Sequence, residues 1–235
     1  YMNPEAYKFV PEIRTALRNE DYPLAEKLNR KLQGAYSQSF APLGTMFMEF
    51  NHNNISDYKR ELDLSTAVSE VSYHSNGINY KREYFVSYPD KVLVIKLTAN
   101  RKNAISFQLK FESLLRYKTT TQAKLLKVSG YAPYYCAPSY VKIENPIRFD
   151  EKRGTRFSAS FEIKNFGGKV IATDSTLFVR NASQVILYVS LATSFNGFDK
   201  NPATEGLNNN LIATTQLKNA KHKSYSSLFK AHLKD

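Results

Sequence analysis

The side chains from which active sites are usually assembled are scattered along this chain without catalytic spacing. Glu49, Asp57, Glu61, Asp63, Asp150, Glu151 and Asp199 fall in loops or at strand ends. Glycoside hydrolysis needs two carboxyl groups held about 5–10 Å apart, and nothing in these spacings defines such a pair. Solvation or capping accounts for all seven. His52, His74, His222 and His232 belong to no HExxH element, and there is no CxxC, so no metal-ligand spacing is present. Cys136 is the single cysteine. It can form no intramolecular disulfide, has no nearby histidine to activate it, and reads as a buried or half-buried thiol. No G-x-S-x-G, P-loop or G-x-G-x-x-G occurs. The sequence therefore predicts no catalytic residue, no metal site and no cofactor.

Recognition is better represented. The chain holds 16 tyrosines and 15 phenylalanines but no tryptophan. Four tyrosines, Tyr131, Tyr134, Tyr135 and Tyr140, share the 130–155 stretch with three prolines. Their rings are candidates for stacking on the apolar faces of sugars, although aromatics in a proline-rich loop also serve to pin it to a sheet. A second polar, turn-rich stretch, 194–210, carries Phe195 and Phe198 beside Asn196 and Asp199. A loop this polar keeps large aromatics when they are buried against something. That partner is either the chain's own sheets or a second domain, to which Asn196 and Asp199 would offer hydrogen bonds. The 33 Lys+Arg against 21 Asp+Glu give a net charge of +12. These cations are spread through every segment and accompany no RNP-like, KH-like or helix-turn-helix pattern, so they read as a solvated basic surface and not as a nucleic-acid site.

The elements that must position these residues follow from periodicity. The 235 residues, 42% hydrophobic and 23% charged, suffice for a substantial core, and no apolar run approaches the ~20 residues of a membrane span. Asn3 and Pro4 can open a helix whose stripe is Ala6, Phe9, Val10, Ile13 and Leu17. Asp21 can cap a second, with Leu24, Ala25, Leu28 and Leu32 ending at Gly34. From Thr45 the period changes to two, and ten strands are predicted: 45–50, 68–73, 78–88, 92–99, 105–112, 123–129, 156–163, 169–172, 176–179 and 184–191. Asn76-Gly77 signals a hairpin, and Tyr88-Pro89-Asp90, Gly167-Gly168 and Arg180-Asn181 signal turns. Helical spacing returns in 211–235 through Leu217, Ala220, Leu228 and Leu233. The expectation is a mainly β chain. Residues 1–210 form an antiparallel β-sandwich with an N-terminal helical hairpin (4–33), and residues 211–235 form a C-terminal helical linker.

Several segments together resemble glycoside hydrolase family 95. They are Asn3-Pro-Glu-Ala, Pro11-Glu-Ile-Arg14, Ala25-Glu-Lys-Leu28, Gly34-Ala-Tyr-Ser-Gln-Ser-Phe-Ala-Pro-Leu-Gly44 and Tyr58-Lys-Arg-Glu-Leu-Asp-Leu64. They continue in order through Thr66-Ala67, Arg82-Glu-Tyr-Phe85, Ser87-Tyr-Pro-Asp90, Ala192-Thr-Ser-Phe-Asn-Gly-Phe-Asp-Lys200 and Pro202-Ala-Thr-Glu-Gly206. That family is typified by inverting α-L-fucosidases, some members preferring α-L-galactosides. The resemblance implies an N-terminal β-super-sandwich preceding a large helical (α/α)6 barrel that carries the catalytic groups, so no family catalytic residue maps here. It further implies that the family's opening strands, with a Leu-Asn-Glu segment, are missing upstream of Tyr1, and that the chain is a fragment. The partners it implies are the barrel of the full-length protein and, through the parent enzyme, fucosylated glycans, in a periplasmic or secreted setting. A free-standing carbohydrate-binding module using the tyrosine-rich loop is the alternative reading.

Overall fold

The computed structural model describes residues 3–34 and 38–235; positions 35–37 of the Gly34–Gly44 segment lie outside the described residues. The chain forms two compact units, one of residues 1–40 with 135–148, the other of residues 41–134 with 149–235.

The smaller unit holds the predicted helical hairpin. Asn3 Oδ1 accepts from the Glu5 amide at 3.0 Å, but the helix begins later than the Asn3-Pro4 pair suggests. A 3-10 turn, Ala6–Phe9, leads into α1 (Val10–Arg18). Asp21 caps α2 (Tyr22–Asn29) as expected, its Oδ1 accepting from the Leu24 amide at 3.0 Å. The predicted stripe is partly corrected: Ala16, Ala25 and Leu28 are buried with Ile13 packed against them, while Leu17 is 48% exposed. Small alanines at the contact let the helices approach closely, and Leu17 points away from it. The 135–148 excursion of this unit contains a short ladder that two-residue periodicity could not reveal.

The larger unit is an antiparallel sandwich. Its strands are β1 (Thr45–Glu49), β2 (Ser56–Asp63), β3 (Val68–Ser75), β4 (Ile78–Ser87), β5 (Val92–Ala99), β6 (Ile105–Glu112), β7 (Arg116–Gln122) and β8 (Leu125–Tyr131). After β9 (Tyr135–Cys136) and β10 (Ile147–Arg148), the ladder of the smaller unit, come β11 (Arg156–Phe166), β12 (Lys169–Ala172), β13 (Thr176–Ala182) and β14 (Gln184–Thr193). The large sheet has the order β2-β3-β4-β5-β14-β11-β8-β7, and the small sheet β1-β6-β13-β12. Phe107, Leu109 and Phe111 alternate with wetter Gln108 and Lys110 along β6, as strands with one solvated face must. They meet Ile95, Leu97, Phe161, Leu187 and Val189 of the large sheet in one core. Phe111 and Phe161 bring their ring centroids within 5.8 Å across the sheets. Each such ring contributes roughly 1.5–3 kcal/mol by burial.

Asn76 (φ 49°) and Gly77 (φ 75°) join β3 to β4, the two left-handed positions that a type I′ turn demands. Arg180-Asn181, expected as a turn, is instead a bulge within β13: the register shifts between Val179 and Ala182. Asn181 takes φ 54° while its amide donates to Ser106 Oγ at 2.9 Å. Strands β2 and β7 escaped periodicity because both are polar edge strands with no apolar alternation. Charge on such edges discourages aggregation.

The outer face of the large sheet carries two helices, α3 (Asn209–Lys221) and α4 (Tyr225–Lys234). Val92, Val94, Ile186 and Tyr188 pack there against Leu217, Ala220 and Leu228, so β5 and β14 are covered on both faces. No helix among the described residues is long and apolar enough to cross a membrane.

Candidate functional site

The 194–208 loop is built to stay rigid. Ser194, 2% exposed, ends β14 by pairing with the start of β11: its amide donates to Arg156 O and its Oγ accepts from the Arg156 amide, both at 2.9 Å. The Leu207 amide returns to Ser194 O at 2.9 Å, closing the loop at its base. Inside it, Asn196 Nδ2 donates to Glu205 O (2.9 Å), and Glu205 Oε2 accepts from the Asn201 amide (3.0 Å). Asn201 Oδ1 accepts from the Ala203 amide and its Nδ2 reaches Lys152 O at 3.2 Å. Gly206 is obligatory for close approach, since a Cβ there would lie 2.1 Å from Pro202 O and 2.6 Å from Ser194 O. Asn208 then caps α3, its Oδ1 accepting from the Leu211 amide at 3.0 Å.

This frame holds two phenylalanines outward. Phe195 is 57% exposed and Phe198 99%, so neither ring lies in the sandwich core. Leu191, Leu207 and Leu211, within or beside the same polar, internally hydrogen-bonded loop, are also exposed. Asn196 is committed to the loop's own Glu205 carbonyl, while Asp199 is exposed beside Lys200.

The four tyrosines are divided between the units: Tyr131 and Tyr134 in the larger, Tyr135 and Tyr140 in the smaller. Tyr131 sits edge-to-face with Phe149 at 6.1 Å. The guanidinium of Arg153 lies 3.9 Å over the Tyr134 ring and that of Arg148 5.2 Å over Tyr135. One face of each of these two rings is thus taken by a cation. Cys136 is half-buried.

The helices after the loop are fastened to the sheet by polar contacts that spacing could not reveal. Ser190 Oγ donates to Gln216 Oε1 at 2.8 Å, and Lys221 pairs with Glu162 at 2.8 Å. Lys223 pairs with Asp90, whose other oxygen accepts from Ser87 Oγ at 2.7 Å. His232 directs Nε2 to Thr66 O (2.8 Å) and Nδ1 to Val86 O (3.2 Å). Burial, with Glu83 adding to it, pushes the Tyr225 phenol up to about 12. Ser87-Tyr-Pro-Asp90 and Thr66 lie in segments that carried the family resemblance; what they share is this fastening of α3 and α4.

Comparison with known proteins gives the family. A family model described as "Glycosyl hydrolase family 65, N-terminal domain" matches residues 1–197. The whole chain is 26% identical to alpha-L-fucosidase 2 of Arabidopsis thaliana, covering 29% of that protein. Over 83% of its length it is 22% identical to "Probable alpha-fucosidase A" of Aspergillus oryzae, covering 26% of it. It also shares a TM-score of 0.47, at 13% identity, with a solved structure from the human microbiome described as a kojibiose phosphorylase; the match covers 78% of this chain and 25% of that one. The chain therefore spans less than a third of the curated relatives it matches. Those two relatives carry the fucosidase name that the family 95 resemblance implied, and by the match over residues 1–197 the chain belongs to the family of glycosyl hydrolase N-terminal domains.

Proposed function

We propose that this chain is the non-catalytic N-terminal domain of a glycoside hydrolase of the α-L-fucosidase type, and that its 194–208 loop docks the catalytic (α/α)6 barrel. The observation that carries the proposal is Phe198: a ring 99% exposed at the tip of a loop closed at its base by Ser194 and Leu207 and braced through Asn196, Asn201 and Glu205. A rigid loop loses little conformational freedom on binding, and an aromatic anchor ringed by polar groups is how interface hot spots are built. The loop leads directly into α3. Relatives named as fucosidases, of which this chain covers 29% and 26%, support a larger protein in which other residues do the chemistry. On this reading the sandwich of the larger unit, with α3 and α4 packed on its outer face, positions the barrel.

The test is hydrolysis of aryl α-L-fucosides and α-L-galactosides by the 235-residue chain and by the longer polypeptide to which it belongs. The expected result is turnover by the longer polypeptide and none by the chain alone. Turnover that follows the purified chain after removal of contaminating glycosidases would overturn the reading. Calorimetric titration of the chain with fucosylated oligosaccharides tests the binding-module alternative, and saturable heat would favour it.

A further inference from the structure

Helix α3 packs on β14 and β11, and past it the outer face of the large sheet is hollowed into a cleft of about 630 Å³ over β11, β8 and β7. Strand register lays its floor out in rows. Read from β7 through β8 to β11, one row is Lys118–Ser129–Ser158 and the next is Thr120–Lys127–Ser160. The alternate residues Val128, Phe157 and Ala159 turn into the core between the sheets, so the floor presents hydroxyls and cations. A third row, Arg116–Tyr131–Arg156, closes one end. At about 3.4 Å per residue, rows two positions apart are ~7 Å from each other, which makes the trough ~14 Å long.

Small side chains make the hollow: Ser158 is 3% and Ser160 1% exposed. Asn209, at the start of α3, forms one wall and donates its Nδ2 to Ser158 Oγ at 2.7 Å. At the closed end Arg156 donates to the Glu151 carbonyl at 3.0 Å and lies 3.5 Å from its carboxylate. Lysines elsewhere on this face are paired, Lys81 with Glu70, Lys96 with Glu83 and Lys221 with Glu162. Lys127 is not. It is half-buried between Thr120 and Ser160, and no carboxylate among the described residues pairs with it or with Lys118. The carboxylate of the neighbouring row, Glu162, is held by Lys221 at 2.8 Å. Four cations thus line the cleft against one carboxylate, Glu151, which is committed to Arg156. A half-buried ammonium without a counter-charge has lost hydration that a bound anion restores.

We propose that this trough binds an acidic oligosaccharide, whose carboxylate or sulfate groups meet Lys127, Lys118 and Arg116 while its hydroxyls bond to Ser129, Ser160 and Asn210. The floor decides for a sugar. Its closely spaced hydroxyls and amides match ring hydroxyls, each of which both donates and accepts. A nucleic acid needs open ring faces on which bases stack, and Tyr131 is half-buried, edge-to-face with Phe149. An extended peptide needs pockets for apolar side chains, which a floor of serine, threonine and lysine does not supply. A trough ~14 Å long is also more than a single phosphate or sulfate ion fills. The site stands on the sheet, apart from the 194–208 loop, and does not depend on the docking role proposed for that loop.

Calorimetric titration of the 235-residue chain tests it. The probes are tetragalacturonate for the carboxylate arm, a sulfated heparin tetrasaccharide for the sulfate arm, and a neutral fucosylated tetrasaccharide for comparison. The expected result is saturable one-to-one binding of an acidic probe that weakens as salt is raised. Lys127→Gln and, independently, Ser129→Glu should each weaken it at least ~tenfold. Because Lys127 has no ion-pair partner to lose, Lys127→Gln should leave the thermal midpoint where it was. Lys102→Gln, which removes an exposed lysine between β5 and β6, should change the affinity by less than ~twofold. Three outcomes would overturn the proposal. One is the absence of saturable heat with both acidic probes. Another is an equal loss from Lys102→Gln and Lys127→Gln, which would reduce the attraction to the net charge of +12. The third is binding of the neutral sugar, of hexaglutamate or of a single-stranded oligonucleotide as tight as that of the acidic sugars. Hydrolysis is not read in this titration, so its result and that of the activity test stand or fall separately.

Discussion

Truncating Phe198 separates a docking role from an ordinary packing one. A phenylalanine in a packed core costs about 3–5 kcal/mol when cut to alanine, and Phe161, 2% exposed between the sheets, serves as the internal standard. Phe198 has 99% of its surface in water, so in the 235-residue chain its loss should fall within ~0.5 kcal/mol. Phe195, 57% exposed, should cost about 1 kcal/mol. If the loop is a hot spot for the barrel, the same two substitutions in the longer polypeptide should each cost about 2 kcal/mol or more. Thermal and urea unfolding of both proteins, with Phe161→Ala alongside, reads the difference. Phe161→Ala should destabilise both equally, whereas Phe198→Ala should be silent in one and damaging in the other. Losses of about 3–5 kcal/mol in the chain alone, or equal small losses in both, would refute the docking argument.

Asp90→Ala removes the acceptor of the buried Ser87 hydroxyl and the partner of Lys223. Because the Lys223 side chain is 46% exposed it can rehydrate, so the cost should be about 2–3 kcal/mol and less than for a fully buried pair; hydrogen exchange should show α3 and α4 loosening together. Tyr188 is fully buried with its hydroxyl unpaired, and burial raises its pKa. Tyr188→Phe should therefore be neutral or stabilise by up to ~1 kcal/mol in denaturant unfolding, and a loss above that size would mean the hydroxyl has a partner. Burial, with Arg82 adding to it, holds the His52 imidazole below its ordinary 6.5. The folded chain then binds fewer protons than the unfolded one in the window just under 6.5, so stability should rise with pH through it. His52→Phe should flatten that rise in unfolding titrations, and an unchanged slope would refute the assignment.

The fold was legible where burial imposes a period. Strands β5, β6 and β12 have the predicted bounds, β6 because its two faces meet different media and β5 because a continuous apolar run marks a strand covered on both faces. Strands β2 and β7 were illegible for the complementary reason: at a sheet edge neither face is fully buried, so selection against aggregation writes charge where a pattern would otherwise be. Arg180-Asn181 was misread because a left-handed asparagine serves a bulge as well as a turn. The helical hairpin lost its predicted first turn because the Asn3 side chain bonds only two residues on, in a local turn, and the α-helical path starts at Val10.

The candidate site was legible in its residue types but not in its geometry. Phe195 and Phe198 stood out because large rings in a polar loop need a reason, yet exposure is a property of the folded loop and no spacing encodes it. What fixes the rings outward is distributed over Ser194, Asn201, Glu205 and Gly206, four residues whose roles are visible only once the loop closes on itself. The same holds on the far side of the sandwich. Arg82 and Arg60 lie twenty-two positions apart, and only the β2–β3–β4 register puts them in one row with no carboxylate beside them. Cross-strand rows are the level at which this basic chain becomes specific. Across β2, β3 and β4 the outer row neutralises its carboxylates with lysine, while the neighbouring inner row sets Arg60 and Arg82 beside a cleft that no carboxylate among the described residues lines.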